Sequence, residues 1–120
     1  MIYGVGVDMA TISRVGKSCE KPRFLEKYFS EKEIELYKDQ PAKLAANFAA
    51  KEAFSKALGT GVRGFAMKDV SLLRDERGKP YYEFGGRAAA IVEKKGLTCH
   101  VSVTDEGDTV TVFAVMEQTD

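Results

Sequence analysis

Two carboxylates and a lysine are the side chains of this sequence best suited to chemistry. Glu52 and Lys56 stand one helical turn apart in a segment that is otherwise mostly apolar, and Asp8 ends an apolar run at the start of the chain. Two carboxylates that meet in a fold are typical ligands of a hard divalent cation such as Mg²⁺. The alternative is structural, because Glu52 and Lys56 also form the favourable i, i+4 order of a surface ion pair, which contributes about 0.2–0.5 kcal/mol.

The segment from 44 to 58 predicts the helix that positions Glu52. One face carries large apolar side chains, namely Leu44, Phe48, Phe54 and Leu58. The opposite face carries alanine, namely Ala45, Ala46, Ala49, Ala50, Ala53 and Ala57. A helix that is apolar on both faces is normally buried on both. The charges of Lys51 and Glu52 within it therefore need partners or a ligand.

The first eight residues predict the strand that meets the alanine face. Gly4, Gly6 and Asp8 share one side of this strand. Glycine inside a strand usually marks the close approach of another backbone, and alanine on the partner allows that approach. We therefore expect the strand to pack on the helix with Asp8 beside Glu52. The alternative for Asp8 is that it caps a following segment, Met9–Val15.

Composition is that of an ordinary globular protein. The chain has 120 residues, of which 44% are hydrophobic and 30% charged, with a net charge of zero. This length predicts one domain over residues 1–120. Two isolated cysteines do not indicate a metal cluster or a disulfide framework. Because no membrane span and no leader segment are recognisable, we expect a cytoplasmic protein that does not associate with membranes.

A basic stretch extends from Arg14 to Lys27. Its basic residues are Arg14, Lys17, Lys21, Arg23 and Lys27, and its acidic residues are Glu20 and Glu26. Phe24, Leu25, Tyr28 and Phe29 add apolar side chains at helical spacing. A basic helix with apolar anchors suits an acidic helical partner. The alternatives are an ordinary solvated face and nucleic acid, which fits less well with a pI of 6.6.

The second half of the chain is rich in predicted strands. Val70–Arg74 and Tyr81–Phe84 predict a hairpin, and Gly86–Lys95 predicts a short helix. The next strand alternates apolar side chains with polar ones, namely His100, Ser102 and Thr104. The last strand, Thr109–Met116, is apolar on both faces, which predicts a central position in the sheet or burial against another subunit.

These residues resemble those of the holo-[acyl-carrier-protein] synthases, the small stand-alone 4′-phosphopantetheinyl transferases. The resemblance covers essentially the whole chain and rests on Gly6-Val7-Asp8, Ile12-Ser13-Arg14-Val15, the block Phe48-Ala-Ala-Lys51-Glu52-Ala-Phe-Ser-Lys56-Ala-Leu-Gly59-Thr60-Gly61, and His100-Val-Ser-Val-Thr104. Two features differ from the family. The connection between Glu33 and Phe48 is short, and Asp105 stands where relatives often have histidine, so we assign Asp105 no role.

The resemblance implies a fold and an activity. The fold would be α+β, with a small antiparallel sheet wrapped around a long central helix. The enzyme would transfer 4′-phosphopantetheine from coenzyme A to a serine of apo-acyl carrier protein, release adenosine 3′,5′-bisphosphate, depend on Mg²⁺ and serve fatty acid biosynthesis. It would be a homotrimer with active sites at subunit boundaries, and the acidic partner of the basic stretch would be the acyl carrier protein, not nucleic acid.

The resemblance also implies roles for individual residues. Asp8 and Glu52 would bind Mg²⁺, and Glu52 and Lys56 would be catalytic, with Lys56 stabilising charge on the pyrophosphate. Further contacts with coenzyme A would come from Gly59, Thr60, Gly61, His100 and Thr104. The carrier protein would contact Arg14, Lys17, Lys21, Arg23 and Phe24. Lys51 would pair with a carboxylate that orients the site.

Several alternatives stay open at this point. The base that deprotonates the serine is Glu52, a water on the metal, or a group of the carrier protein, and His100 has a structural alternative as a lone histidine. A non-catalytic trimer would bind the carrier protein without regard to Mg²⁺ or coenzyme A. A coenzyme A pyrophosphate hydrolase would release the bisphosphate without any carrier protein. The joint presence of Asp8, Lys51, Glu52 and Lys56 favours the transferase.

One glycine motif needs a separate interpretation. Gly59, Gly61 and Gly64 match a Gly-x-Gly-x-x-Gly string, but the dinucleotide-binding motif requires a strand before it and a helix after it. Here the predicted helix comes first, so we reject that function. The glycines instead predict the end of the helix and a loop with free backbone beside a phosphate-bearing ligand. Lys56 and Arg63 would bring positive charge to this loop.

Overall fold

Strands of two antiparallel sheets surround one long helix in the computed structural model, which describes residues 1–119. The strands are β1 (Ile2–Thr11), β2 (Val70–Arg74), β3 (Pro80–Phe84), β4 (Leu97–Glu106) and β5 (Thr109–Gln118). The helices are α1 (Ile12–Cys19), α2 (Pro22–Tyr28), α3 (Glu31–Tyr37), α4 (Pro41–Leu58) and α5 (Gly86–Lys95), and a 3₁₀ turn (Met67–Asp69) precedes β2.

The larger sheet has the order β1-β5-β4, and β2 and β3 form a separate hairpin. Helix α4 packs against β1, β5 and β2. The predicted α+β fold around this helix is therefore confirmed, although the strands divide into two sheets. The central position predicted for the last strand is also confirmed, since β5 pairs with β1 on one side and β4 on the other.

Glycines in β1 let the strand lie directly on α4. A Cβ atom added to Gly6 would lie 2.0 Å from the carbonyl oxygen of Ala53, and one added to Gly4 would lie 2.0 Å from that of Ala57. Real Cβ atoms never come so close to a backbone oxygen, so only glycine allows this separation. Ala53 is fully buried and Ala57 almost so. The expected packing of the glycine side of the strand on the alanine face is confirmed.

Substituting Gly6 with alanine should destabilise the fold. We expect Gly6→Ala to lower the free energy of unfolding by about 3 kcal/mol, because overpacking against backbone atoms cannot be relieved by a side-chain rotation. Gly85→Ala is the matched control, since a Cβ there meets nothing within 4 Å and its φ of −130° suits any residue. Urea unfolding should show that the control loses at most about 1 kcal/mol of its free energy of unfolding. Equal losses in both variants would contradict the close packing of β1 on α4.

Asp8 does not cap a helix, so the alternative stated for it is wrong. Strand β1 continues past Asp8 to Thr11 because its pairing with β5 extends to Thr11 opposite Thr109. Helix α1 begins only at Ile12. The side chain of Asp8 is therefore available for another role.

Within residues 1–119, no helix is both long and apolar enough to cross a membrane.

Candidate active site

Strand β1 brings Asp8 to the side chains of α4. The amine of Lys56 lies 3.1 Å from Asp8 Oδ1 and donates a hydrogen bond of 3.0 Å to the carbonyl oxygen of Val7. The side chain of Asp8 is 24% exposed and that of Lys56 is 55% exposed. The ion pair is therefore open to solvent, and its lysine can move to another anion at little energetic cost.

Glu52 stands one turn before Lys56 on α4 and is half-buried. Burial raises the pKa of the Glu52 carboxyl above its ordinary value, the negative charge of Asp8 raises this pKa further, and Lys56 opposes the shift. The structure thus brings together Asp8, Glu52 and Lys56, which lie far apart in the sequence. Two carboxylates share this place with one lysine, an arrangement that a divalent cation would stabilise.

The two carboxylates, Asp8 and Glu52, suit Mg²⁺ better than a metal ion that takes all its ligands from the protein. No cluster of three or more histidine, cysteine, aspartate or glutamate side chains suited to a metal occurs among residues 1–119. Mg²⁺ is usually bound by one or two carboxylates, with water and substrate phosphate oxygens completing its octahedron. Asp8 and Glu52 supply this kind of incomplete shell.

Lys51 belongs to a buried network behind the site. Its amine lies 2.6 Å from Glu33 Oε1, and it donates to the carbonyl oxygens of Met67, at 3.3 Å, and Val70. Both charged side chains are fully buried. Burial lowers the pKa of Lys51, and the charge of Glu33 offsets part of this shift. The expectation that Lys51 pairs with a carboxylate agrees with this contact.

Glu33 is the residue of this network that sequence reasoning missed. Its Oε2 accepts hydrogen bonds from Asn47 Nδ2, at 2.8 Å, and from the backbone N–H of Leu72, at 3.2 Å. The carboxylate therefore joins α3, α4 and β2. The spacing of Ser30 and Glu33 is a capping-box signature that marks the start of α3, but such a signature usually describes an exposed glutamate and gives no sign of burial.

An apolar cleft of about 430 Å³ opens beside Glu52. It is lined by Lys27, Tyr28, Glu52, Val62, Ala66 and Met67. Helix α2, helix α4 and the segment before β2 each supply part of the lining. The cleft was not predicted because no local pattern indicates that these three segments meet.

The glycine loop follows the end of α4, as predicted. Gly59 adopts a left-handed conformation, with φ of 86°, and its N–H donates to the carbonyl oxygen of Ser55. The loop residues Gly59, Thr60 and Gly61 are exposed, and Thr60 Oγ1 donates to the carbonyl oxygen of Gly61. Since Lys56 stands in the last turn of α4, the loop begins close to the Asp8–Lys56 pair.

His100 and Thr104 lie away from this site within one chain. They stand on β4, which is at the opposite edge of the sheet from β1, and their side chains are exposed. His100 Nε2 lies 2.6 Å from Glu117 Oε1. The structure therefore brings Asp8, Glu52, Lys56 and the glycine loop together but does not bring His100 and Thr104 to them.

The basic stretch folds as two short helices. Arg14 and Lys17 are exposed on α1, and Lys21 and Arg23 are exposed at the start of α2. Phe24 is half-buried, with its ring centroid 4.6 Å from that of Tyr28 and 5.9 Å from that of Phe48. Because Lys27 and Tyr28 line the cleft, the basic surface continues to the edge of the candidate active site.

Comparisons with known proteins agree with this arrangement. A family model described as the 4′-phosphopantetheinyl transferase superfamily matches residues 4–107. The holo-[acyl-carrier-protein] synthase of Clostridium beijerinckii is 40% identical over 121 residues, which cover 98% of this chain and 98% of that protein.

Solved structures give the same result. The holo-[acyl-carrier-protein] synthase of Neisseria meningitidis has a TM-score of 0.88 at 33% identity and covers 98% of this chain and 100% of its own. The synthase of Helicobacter pylori, solved in complex with coenzyme A, has a TM-score of 0.81 at 26% identity and covers 94% of this chain and 99% of its own.

Proposed function

This chain belongs to the 4′-phosphopantetheinyl transferase superfamily, and from that premise we propose that it is a holo-[acyl-carrier-protein] synthase. It would transfer 4′-phosphopantetheine from coenzyme A to a serine of apo-acyl carrier protein. The observation that carries this proposal is the meeting of Asp8, Glu52 and Lys56 beside an open cleft. We further propose that the domain extends over residues 1–120 and acts in the cytoplasm, in fatty acid biosynthesis.

The reaction is a phosphoryl transfer with coenzyme A as donor. The serine hydroxyl oxygen bonds to the phosphorus that bears the pantetheine arm and loses its proton to a base. The bond from that phosphorus to the bridging oxygen breaks, and adenosine 3′,5′-bisphosphate leaves with the electron pair. Mg²⁺, held by Asp8 and Glu52, would neutralise charge on the pyrophosphate.

Lys56 supplies the second positive charge near the leaving group. It pairs with Asp8 in this structure, and its side chain is exposed. A pyrophosphate bound over the carboxylates offers the ammonium group a stronger partner than Asp8 alone. Lys56 would therefore turn from Asp8 to the phosphate oxygens, where it stabilises the charge that develops as the bond breaks.

The mostly apolar lining of the cleft beside Glu52 suits the pantetheine arm. This arm carries methyl groups and two amides, and the cleft has an apolar lining from Val62, Ala66 and Met67. An arm placed there would direct its phosphate toward Glu52. The glycine loop follows Lys56 along the chain, and with Arg63 it would meet the nucleotide half of coenzyme A.

We propose that a homotrimer completes the site. His100 and Thr104 are on the outer face of the larger sheet, and the same face exposes Val5, Val7, Met9 and Phe113 by 55, 50, 63 and 44%. An apolar patch of this kind favours association with another chain. His100 and Thr104 of one subunit would then reach the coenzyme A bound at Asp8 and Glu52 of its neighbour.

Replacing Phe113 with aspartate should disrupt this assembly. We expect sedimentation velocity to show a trimer for the unmodified protein and smaller species for Phe113→Asp, with a loss of transfer activity of roughly tenfold or more. Leu36→Asp is the matched control, because Leu36 is 50% exposed but lies on α3, away from the sheet. An active monomer, or equal effects of both substitutions, would refute the shared site.

The carrier protein would bind the exposed basic residues of α1 and α2. Acyl carrier proteins are acidic, as the sequence resemblance implies, so charge attraction would steer them to Arg14, Lys17, Lys21 and Arg23. From this surface the carrier serine can reach the mouth of the cleft, since Lys27 and Tyr28 belong to both α2 and the cleft lining.

Intact-mass analysis tests the proposed function. An apo-acyl carrier protein incubated with this protein, coenzyme A and Mg²⁺ should gain the mass of one phosphopantetheine group, and a chelator should prevent the gain. Carrier binding without any mass gain would indicate the non-catalytic trimer. Release of adenosine 3′,5′-bisphosphate without carrier protein would indicate the hydrolase.

A further inference from the structure

The first turn of α1 is held by a residue from the far end of the chain. Thr11, at the N-cap of α1, makes no capping hydrogen bond with its side chain. Asp108, in the turn between β4 and β5, replaces it. Its carbonyl oxygen accepts a 2.8 Å hydrogen bond from the N–H of Ile12, and its Oδ1 accepts one of 3.0 Å from the N–H of Ser13. The hydroxyl of Ser13 donates to the other carboxylate oxygen.

These contacts matter because α1 is short. A helix of eight residues is not stable by itself in water, so its direction depends on what its ends and its buried side contact. Val15 is the buried residue of α1. Asp108 therefore provides the fixed point for the first turn, and its negative charge is favourable at the N-terminus of a helix.

Arg14 follows Ser13 directly and is exposed. It lies one residue from the Asp108 contacts, and its long side chain amplifies any change in the direction of the turn. Without the Asp108 side chain the N–H and the hydroxyl of Ser13 would lose their partners, and the first turn would keep only the backbone hydrogen bond from Ile12 and would fray. The consequence would fall on Arg14 and not on Asp8 or Glu52, which β1 and α4 hold.

We propose that Asp108 is a positioning residue for carrier-protein recognition. It fixes the first turn of α1 so that Arg14 meets an acidic side chain of the carrier protein. This assignment rests on the proposed function, in which α1 is part of the carrier-binding surface. It predicts that Asp108 influences carrier binding and leaves the coenzyme A site unchanged.

Two substitutions at this position separate positioning from charge. Asp108→Ala removes the side-chain contacts and the charge, whereas Asp108→Asn removes only the charge, since its amide can accept from the N–H of Ser13 and donate to the Ser13 hydroxyl. We expect Asp108→Ala to raise KM for the carrier protein about five- to tenfold, with kcat and KM for coenzyme A within about twofold of the original values. Asp108→Asn should restore most of the loss.

A double-mutant cycle with Arg14 gives the sharpest test. If Asp108 acts through Arg14, then Asp108→Ala should have little further effect on KM in a chain that already carries Arg14→Ala. Ser13→Ala keeps the backbone contacts to Asp108 and should give a smaller rise than Asp108→Ala. This milder variant keeps the test valid if Asp108→Ala does not fold.

Each contrary outcome has its own meaning. Equal changes in Asp108→Ala and Asp108→Asn would show an effect of charge and overturn the positioning role. Parallel changes of kcat and both KM values with the melting temperature would show a purely structural role and overturn it as well. Carrier binding should also be measured by fluorescence anisotropy, which does not depend on catalysis. If the unmodified protein transfers no phosphopantetheine but Asp108→Ala still binds the carrier protein more weakly, the proposed function is refuted and this inference is supported.

Discussion

Replacing Glu52 with glutamine should lower the rate of phosphopantetheine transfer by on the order of a thousandfold. Glutamine has nearly the same shape and leaves α4 intact, but it removes one of the two negative charges that would hold Mg²⁺. The half-buried position of Glu52 and its proximity to Asp8 make its charge costly unless a cation is present. The loss should therefore appear in catalysis and not in stability.

The mass gain of an apo-acyl carrier protein over time measures this prediction. Glu93→Gln is the matched control. Glu93 is exposed on α5, and its substitution makes the same change of charge and size away from the site. The control should transfer at the original rate. Near-normal labelling by Glu52→Gln would remove Glu52 from the metal site.

The second large effect is expected at Lys51. Lys51→Met should lower the free energy of unfolding by about 3–5 kcal/mol. The substitution leaves the fully buried carboxylate of Glu33 without its cation and removes the hydrogen bonds that Lys51 donates to the carbonyl oxygens of Met67 and Val70. Removing one partner of a buried ion pair costs far more than the net contribution of the pair, since the remaining charge cannot be hydrated.

Lys56→Met is the matched control for this prediction. It makes the same substitution on the same helix, but Lys56 is 55% exposed and its ion pair with Asp8 faces solvent. Urea unfolding should give a loss within about 1 kcal/mol for Lys56→Met, although its transfer activity should fall strongly. Equal stabilities of the two variants would mean that the Glu33–Lys51 pair does not hold the fold together.

The part of the site on β1 and α4 could be predicted because both elements are periodic. Glycine at two alternate positions of β1, Gly4 and Gly6, and alanine along one face of α4 indicate a close backbone contact, and that contact places Asp8 near Glu52. The geometry of a strand and of a helix is enough to identify these two faces. For the same reason the position of β5 in the sheet followed from its two apolar faces.

The remaining features depend on contacts that no local pattern encodes. Glu33 reaches Lys51 only because α3 packs against α4 and β2. The cleft forms from three separate segments of the chain. The cap of α1 comes from Asp108, 95 residues away from Ser13. Helix caps are usually local, so the sequence pattern indicated Asp8, which lies only four residues before Ile12, and gave no sign of Asp108.

His100 and Thr104 illustrate a different limit. Their alternation with apolar residues correctly indicated the polar, exposed face of β4, but strand periodicity does not tell which subunit they serve. Within one chain they lie across the sheet from Asp8. Their proposed role therefore depends on the trimer, which the Phe113→Asp experiment addresses.

The binding of one divalent cation by Asp8 and Glu52 is most directly tested by titrating the protein with Mn²⁺ as a spectroscopic substitute for Mg²⁺. In the presence of coenzyme A, electron paramagnetic resonance should show one tightly bound ion per subunit. Asp8→Asn and Glu52→Gln should each abolish this binding, and Glu93→Gln should retain it. Unchanged Mn²⁺ binding by both site variants would contradict the assignment of these two carboxylates as the metal ligands.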